Sequence, residues 1–448
     1  MRAAAAVALG CLLVGCSGAD RVTEPLTSSP PVPTMPSGPA TTAVEDPAIA
    51  IKTPFVDGEI GGSTWRTPRC AMMESRWSCG TNCKGAGMRT RIAVFIGTCL
   101  AAQLALASTP ASAGSRIRAR EVVGNLNQPV AFTFGPGKKI WYVEKGTGQV
   151  RIHDLDTGAD RLFVKVPGVN GEGERGMLGI ALHPSYPAKP LVYVYATRSA
   201  GGRLSNQILR YRDRHGSGVS RTVLFTSVAG GSPYHNGGRI AFGPDGMLYA
   251  IVGDAHDSSN AQNTTNEDRG KIIRIEPDGD APSDNPFGDR VWVYGIRNSF
   301  GFAFDPQTDD LWETENGPSC NDEINRIRGG ENYGWGPNET CDGASPGHTN
   351  QDGPNPILPE LFYQSTIGIT GVAFCDGCGL GPQSDGAAFF GAVNNGEVTR
   401  IVFNDQRNAI AGQTVVFDHG GSTLSYEVGP GGRIFFSDFD RINKLVRR

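Results

Sequence analysis

The sequence predicts an all-β fold, a six-bladed β-propeller with a flexible N-terminal extension. Three observations lead there. The chain has 61 glycines and 30 prolines in 448 residues, and from about residue 118 they fall in turns between short apolar runs. A strand–turn–strand phrase with apolar–Phe–Gly–Pro character recurs along this region. No long amphipathic helix interrupts it.

The elements follow in chain order. Arg2 precedes an Ala-rich apolar run ending Leu13-Val14-Gly15-Cys16. Residues 1–16 therefore read as a lipoprotein-type signal peptide that leaves Cys16 lipidated, with a generic signal peptide as the alternative. Residues 17–87 read as a low-complexity tether, rich in Thr, Ser, Pro and Ala to residue 50, followed by a segment holding Cys70, Cys79 and Cys83. Residues 88–113 make a second signal-like segment. Met88-Arg89-Thr90-Arg91 leads into an apolar core that closes on Ala111-Ser112-Ala113. Translation from Met88, a fusion of two exported pieces and a packed helix are the readings, the first favoured. All the export readings imply an oxidising compartment: a periplasmic or cell-envelope lipoprotein, or a secreted protein if translation starts at Met88.

Residues 118–448 carry the propeller. The copies are AFTFGPGKKIWYVEKGTGQVRIHD from Ala131, GIALHPSYPAKPLVYVYATRS from Gly179, RIAFGPDGMLYAIVGDA from Arg239, GFAFDPQTDDLWETENG from Gly301, GAAFFGAVNNGEVTRIVF from Gly386 and YEVGPGGRIFFSDFDRINKLVR from Tyr426. Alternating β-branched and aromatic residues support strands, and Gly-Pro and Asp-Gly pairs support tight turns. Six copies leave roughly 55 residues each, the size of a four-stranded blade with loops. The uneven spacing leaves five or seven blades open. Cys320, Cys341, Cys375 and Cys378 follow the export segments, which favours disulfides, read as 320–341 and 375–378. A four-cysteine zinc site is the rival reading.

The 41 basic and 45 acidic side chains give a formal charge of −4, which argues against nucleic acid as a partner. The polar candidates cluster in loops. His235 lies in Pro-Tyr-His-Asn-Gly-Gly, and Asp254 lies past the next strand pair, where a hairpin can return it to the imidazole as an orienting partner of a general base. A turn-capping Asp254 and a surface His235 are equally compatible with that spacing. Arg297-Asn298 offers a forked cation and an amide to an oxygen that gains negative charge, or an arginine bridging two blades. The run from Glu315 to Trp335 concentrates carboxylates, amides and turn carbonyls of the kind a hard cation such as Ca²⁺ selects, or a polar turn network.

With these motifs in hand, the chain from about Asn125 to its C-terminus resembles the soluble pyrroloquinoline quinone (PQQ)-dependent glucose and aldose sugar dehydrogenases. The matching stretches are GERGMLGIALHP from Gly173, YHNGGRIAFGPDGMLYAIVGDA from Tyr234, GKIIRIEPDG from Gly270, YGIRNSFGFAFDP from Tyr294 and ENGPSCNDEINRIRGGENYGWG from Glu315. The resemblance implies PQQ and Ca²⁺ as cofactors and a sugar as substrate. It implies His235 as the base that takes the anomeric hydroxyl proton while a hydride passes to PQQ, with Asp254 as its acidic partner. It implies Arg297 and Asn298 beside the quinone oxygens, and Glu174 and Asn394 at cofactor-binding positions. The carbonyls of Gly317 and Pro318 match ligands of the PQQ-bound calcium, and Glu323 and Tyr333 match a second, structural calcium.

Three departures stand out. Glu174 replaces a glutamine. The stretch Ala392–Glu397 lacks the family's late-strand lysine. The stretch Gly421–Val428 lacks its Arg-Tyr-Arg run, which leaves Arg400 or Arg433 as substitutes. A PQQ- and calcium-dependent aldose dehydrogenase is the leading expectation. A non-catalytic propeller binding a glycan or protein, and a calcium-dependent lactonase, are the alternatives.

Overall fold

The computed structural model describes residues 116–448 except 339–340 and 342–349. The signal-type segments at 1–16 and 88–113, the 17–87 tether with Cys70, Cys79 and Cys83, and the lipidation reading of Cys16 lie outside the described residues.

The described strands form six four-stranded antiparallel sheets, so the structure is the six-bladed propeller expected. Blade 1 spans residues 131–165, blade 2 177–228, blade 3 240–294, blade 4 299–363 and blade 5 369–418, each with its strands in sequence order. Blade 6 combines Tyr426–Val428, Ile434–Ser437 and Ile442–Arg447 with Ile117–Val123 from the start of the described chain. Sequence inspection did not detect this last closure, because its partners are more than 300 residues apart and their register is set only in space. The copy read from Gly386 also needs correction. It begins at the second strand of blade 5, whose first strand is Ile369–Phe374. That strand, ITGVAF, is buried on both faces and lacks the Phe-Gly-Pro phrase.

The recurring phrase has a local cause. In blade 3, Gly246 sits at φ 79°, a region glycine enters without the Cβ penalty. The amide of Gly246 donates to Gly243 O and that of Met247 to Asp245 Oδ1, both at 3.0 Å. Each blade then buries its faces against its neighbours, giving six apolar clusters, one between each adjacent pair of blades. Trp141, Trp312, Phe389 and Phe436 are buried in them. The first strands of neighbouring blades pack together and line the central axis. Disulfides join Cys320 to Cys341 and Cys375 to Cys378, so these sulfurs are not zinc ligands.

The ring closure is testable. Ile117 and Val123 are buried at its two ends, and burial of such side chains stabilises by roughly 1.5–3 kcal/mol each. Truncation to Gly124 is expected to cost several kcal/mol, read as a lower urea midpoint, and to expose the edge of Ile442–Arg447 to intermolecular pairing.

Candidate active site

One end of the central axis opens into a cavity lined by Lys145, Glu174, Gly237, Arg239 and Asn316, with apolar walls that include Phe300 and Leu424. The candidate residues meet at its edge.

His235 sits in a turn at φ 57°, followed by Gly237 and Gly238 at φ 65° and 113°. A left-handed non-glycine residue costs on the order of 1 kcal/mol. Here its amide donates to Glu174 Oε2 at 2.7 Å and its carbonyl accepts from Ala255 at 3.1 Å. A Cβ at Gly237 would stand 2.5 Å from Ile251 O, so this turn lies directly on the second strand of blade 3. His235 is therefore only 6% exposed, which excludes the surface reading that the spacing had left open.

That strand ends just before Asp254. Asp254 Oδ1 lies 2.7 Å from His235 Nδ1 and also accepts from the His256 amide, while Oδ2 accepts from Trp335 Nε1 at 2.8 Å. Burial raises the pKa of Asp254, but the bond to His235, with the charges of His235 and Arg297, outweighs this and holds it below the ordinary carboxylate value. An ionised Asp254 makes Nδ1 the donor and leaves Nε2 with a free lone pair. Burial, together with Arg297, pushes His235 down to about 4, so the imidazole is neutral at pH 7.

Arg297 follows Gly295, where a Cβ would stand 2.4 Å from Asn332 Oδ1. Its carbonyl accepts from Asp254 N at 2.9 Å, its own amide donates to Glu315 Oε1 at 2.5 Å, and Nη1 donates to Asn316 O at 2.7 Å. The guanidinium lies 5.1 Å from the centre of the Trp335 ring. Asn298 Nδ2 reaches Glu174 Oε1 at 3.4 Å. Arg297 Nε, Asn298 Oδ1 and Glu315 Oε2 are buried without a hydrogen-bond partner among the described residues, unusual for groups of this cost.

Below them, Glu315 stands directly opposite Glu323 in register, with Glu313 two residues before it. Burial pushes Glu313 up to about 7, and it raises Glu315 and Glu323 well above the carboxylate range, reinforced by the charges of Glu313 and Glu323 on Glu315 and of Glu313 and Asp322 on Glu323. Glu323 Oε2 accepts from Asn350 at 2.8 Å, while Oε1 is buried without a hydrogen-bond partner among the described residues. Asp322 ties the Gly317–Pro318 turn to the cavity wall, accepting from Gly317 N at 3.0 Å and Gly368 N at 2.7 Å. Tyr333 is buried, and its hydroxyl donates to Arg326 O and accepts from Arg328 N. Among the described residues no three His, Cys, Asp or Glu side chains form a ready metal cage, so a cation here would draw on backbone carbonyls.

The structure thus brings together His235, Asp254, Arg297, Asn298 and Glu174. It does not bring Asn394 to them. Asn394 is exposed, its side chain donating to Thr366 O at 3.4 Å. Its amide donates to Ile367 O and that of Val393 to Gly368 O, and Gly368, not Asn394, is among the cavity-lining residues. Trp335 and Lys145 escaped sequence reasoning as site residues. A usable signal existed for Lys145: like Asp254, it stands two residues past the second strand of its blade.

Glu174 gives a pH test. Burial pushes it up to about 7, against the bond from His235 and the charges of Arg297 and Lys145. A carboxyl raised in the folded state contributes stability that is complete below its unfolded value and lost as pH rises through the folded one. Between pH 4.5 and 7 wild type is expected to lose up to about 3 kcal/mol through this group. Glu174→Gln should lack that share of the slope in urea titrations across the range.

Residues 126–447 match the family described as Glucose / Sorbosone dehydrogenase. Over 245 residues the chain is 30% identical to quinoprotein glucose dehydrogenase B of Acinetobacter calcoaceticus, covering 48% of this chain and 51% of that protein. It thus spans about half the length of that relative. It is 26% identical over 365 residues to an aldose sugar dehydrogenase of Escherichia coli, covering 77% and 96% of the two chains. The PQQ-bound form of aldose sugar dehydrogenase from Streptomyces coelicolor has the same fold, with a TM-score of 0.63 at 28% identity over 73% of this chain and 97% of that one. The matched span takes in all five propeller blades from residue 131 to 418, most of the sixth, and the whole His235–Arg297 cluster, and on that extent the chain belongs to the glucose/sorbosone dehydrogenase family.

Proposed function

We propose that the protein oxidises the anomeric carbon of an aldose, using PQQ and calcium, with His235 as general base. The observation that carries this reading is the buried His235–Asp254 pair, neutral at the ring and free at Nε2, beside the Arg297 guanidinium at a cavity edge.

The residues fit both groups. Among the described residues Arg297 Nε is a buried donor without a partner, suited to a quinone oxygen, and Asn298 Oδ1 is a buried acceptor open to an N–H or O–H of a ligand. The Gly317 turn is so tight that a Cβ there would meet Cys320 O at 1.8 Å. Its carbonyls and the carboxylates near it make an oxygen-rich donor set of the kind calcium selects. Gly317 and Pro318 would hold the calcium beside the quinone, and Glu323 and Tyr333 the structural one. When bound, PQQ supplies a two-electron hydride acceptor and calcium polarises it.

The protein's own residues do the rest. Nε2 of His235 takes the proton of the anomeric hydroxyl. Asp254 holds Nδ1–H and stabilises the imidazolium that results. Trp335 and the His256 amide fix the carboxylate in turn. Arg297, whose pKa burial lowers without discharging it, stabilises negative charge on an oxygen near its free Nε. The signal-type segments at residues 1–16 and 88–113 support export to an oxidising compartment.

The test is reconstitution. Apoprotein loaded with PQQ and Ca²⁺ should reduce an artificial dye with glucose or related aldoses, and a chelator should abolish the rate until calcium is restored. No turnover across a broad aldose panel would overturn the reading.

A further inference from the structure

PQQ carries three carboxylates, and such charge needs cationic partners. The late strands do not supply them. Arg433 Nη1 is committed to Cys378 O at 2.6 Å. Arg400 lies on the third strand of blade 5, opposite Phe389 and Thr414, two strands from the axis.

The cavity draws its cations from earlier blades. Lys145, from blade 1, is 6% exposed, and its ammonium donates to one described acceptor, Gly171 O at 2.9 Å. An ammonium has three protons, so two remain for a ligand. Arg239, entering blade 3, is 9% exposed, with Nη1 on Ser425 Oγ at 2.9 Å and Nη2 on Phe300 O at 3.4 Å. Neither partner is charged. Both side chains line the same cavity as Glu174 and Asn316.

Cations buried against neutral partners are costly. Burial pushes Lys145 down to about 8 despite the nearby Glu174, and lowers Arg239 despite Glu427. Glu427 is itself pushed up to about 7 by burial and compensates poorly near neutrality. An anionic ligand in the cavity supplies what both cations lack.

We propose that Lys145 and Arg239 form the clamp for the carboxylates of the quinone, blades 1 and 3 replacing the charge absent from blades 5 and 6. This rests on the function proposed above. Blade 1 adjoins blade 6 around the ring, and Lys145 N donates to Gln128 O while Gln128 N donates to Phe439 O. The backbone of Lys145 therefore adjoins the link from blade 6, while its ammonium turns toward Gly171 O on the link to blade 2.

The test is titration of apoprotein with PQQ in excess calcium, followed by ligand absorbance and by equilibrium dialysis, with thermal unfolding as the folding control. Lys145→Gln is expected to weaken PQQ binding at least tenfold, Lys145→Arg to stay within threefold of wild type, and Arg400→Gln to leave binding unchanged. Arg239→Gln is expected to weaken binding by a similar factor, and decides the question if Lys145→Gln does not fold. Wild-type affinity in the folded Gln variants overturns the clamp and leaves the dehydrogenase reading intact. Wild-type protein that takes up no PQQ overturns both.

Discussion

Replacing His235 with alanine is expected to cut aldose turnover by about 10²–10⁴-fold, the range for loss of a positioned general base. PQQ binding should change only a few-fold. The ring is buried and hydrogen-bonded through Nδ1 to Asp254 alone, so its free Nε2 is the atom whose loss matters. A merely structural histidine would behave differently. Its removal would lower stability, with turnover falling only as the folded fraction falls. Measuring kcat, PQQ affinity and the urea midpoint on one preparation separates the two. Turnover within tenfold of wild type in a folded variant would remove His235 from the chemistry.

The second large effect is expected from Asp254→Asn. Asp254 Oδ1 holds the His235 ring, and Oδ2 accepts from the Trp335 indole. An amide keeps the shape but supplies no negative charge. If its NH₂ faces the imidazole, it selects the tautomer with the proton on Nε2, where a base must be empty. A loss of about 10²–10⁴ in kcat is expected, with much less change in KM. The charge that helps the ring accept a proton is also lost, which lowers the His235 pKa further, so the rate should level off at lower pH than in wild type. An unchanged pH profile would limit Asp254 to holding its loop.

Much of this was legible in the chain. Phe-Gly-Pro phrases and period-2 alternation record local chemistry, since turn glycines and strand pleats act over a few residues. They identified blades 1 to 4 directly. Blade 5 was read one strand late because Ile369–Phe374 is buried throughout and carries no alternation. The His235–Asp254 hairpin was visible as a spacing, and the tertiary structure decided between its two readings. It put Glu174 under the His235 amide, across 61 residues of sequence, and the Trp335 indole on Asp254, across 81.

Charge was the least legible property. Sequence reasoning looked for cofactor cations on the late strands, where the family carries them, and passed over Lys145 and Arg239. Nothing in a linear string says which of 41 lysines and arginines face one axis. The same applies to Asn394, placed beside the cofactor by motif order and found exposed and not among the cavity-lining residues.

The sequence by itself determined the blade, its turns, the family and the chemical types at the site, because these follow from interactions between near neighbours and from motif order. Only the tertiary structure decided how the ring closes, which carboxyls are buried together and which cations reach the cavity. Those outcomes depend on desolvation and on packing between blades, quantities that exist only once distant segments meet.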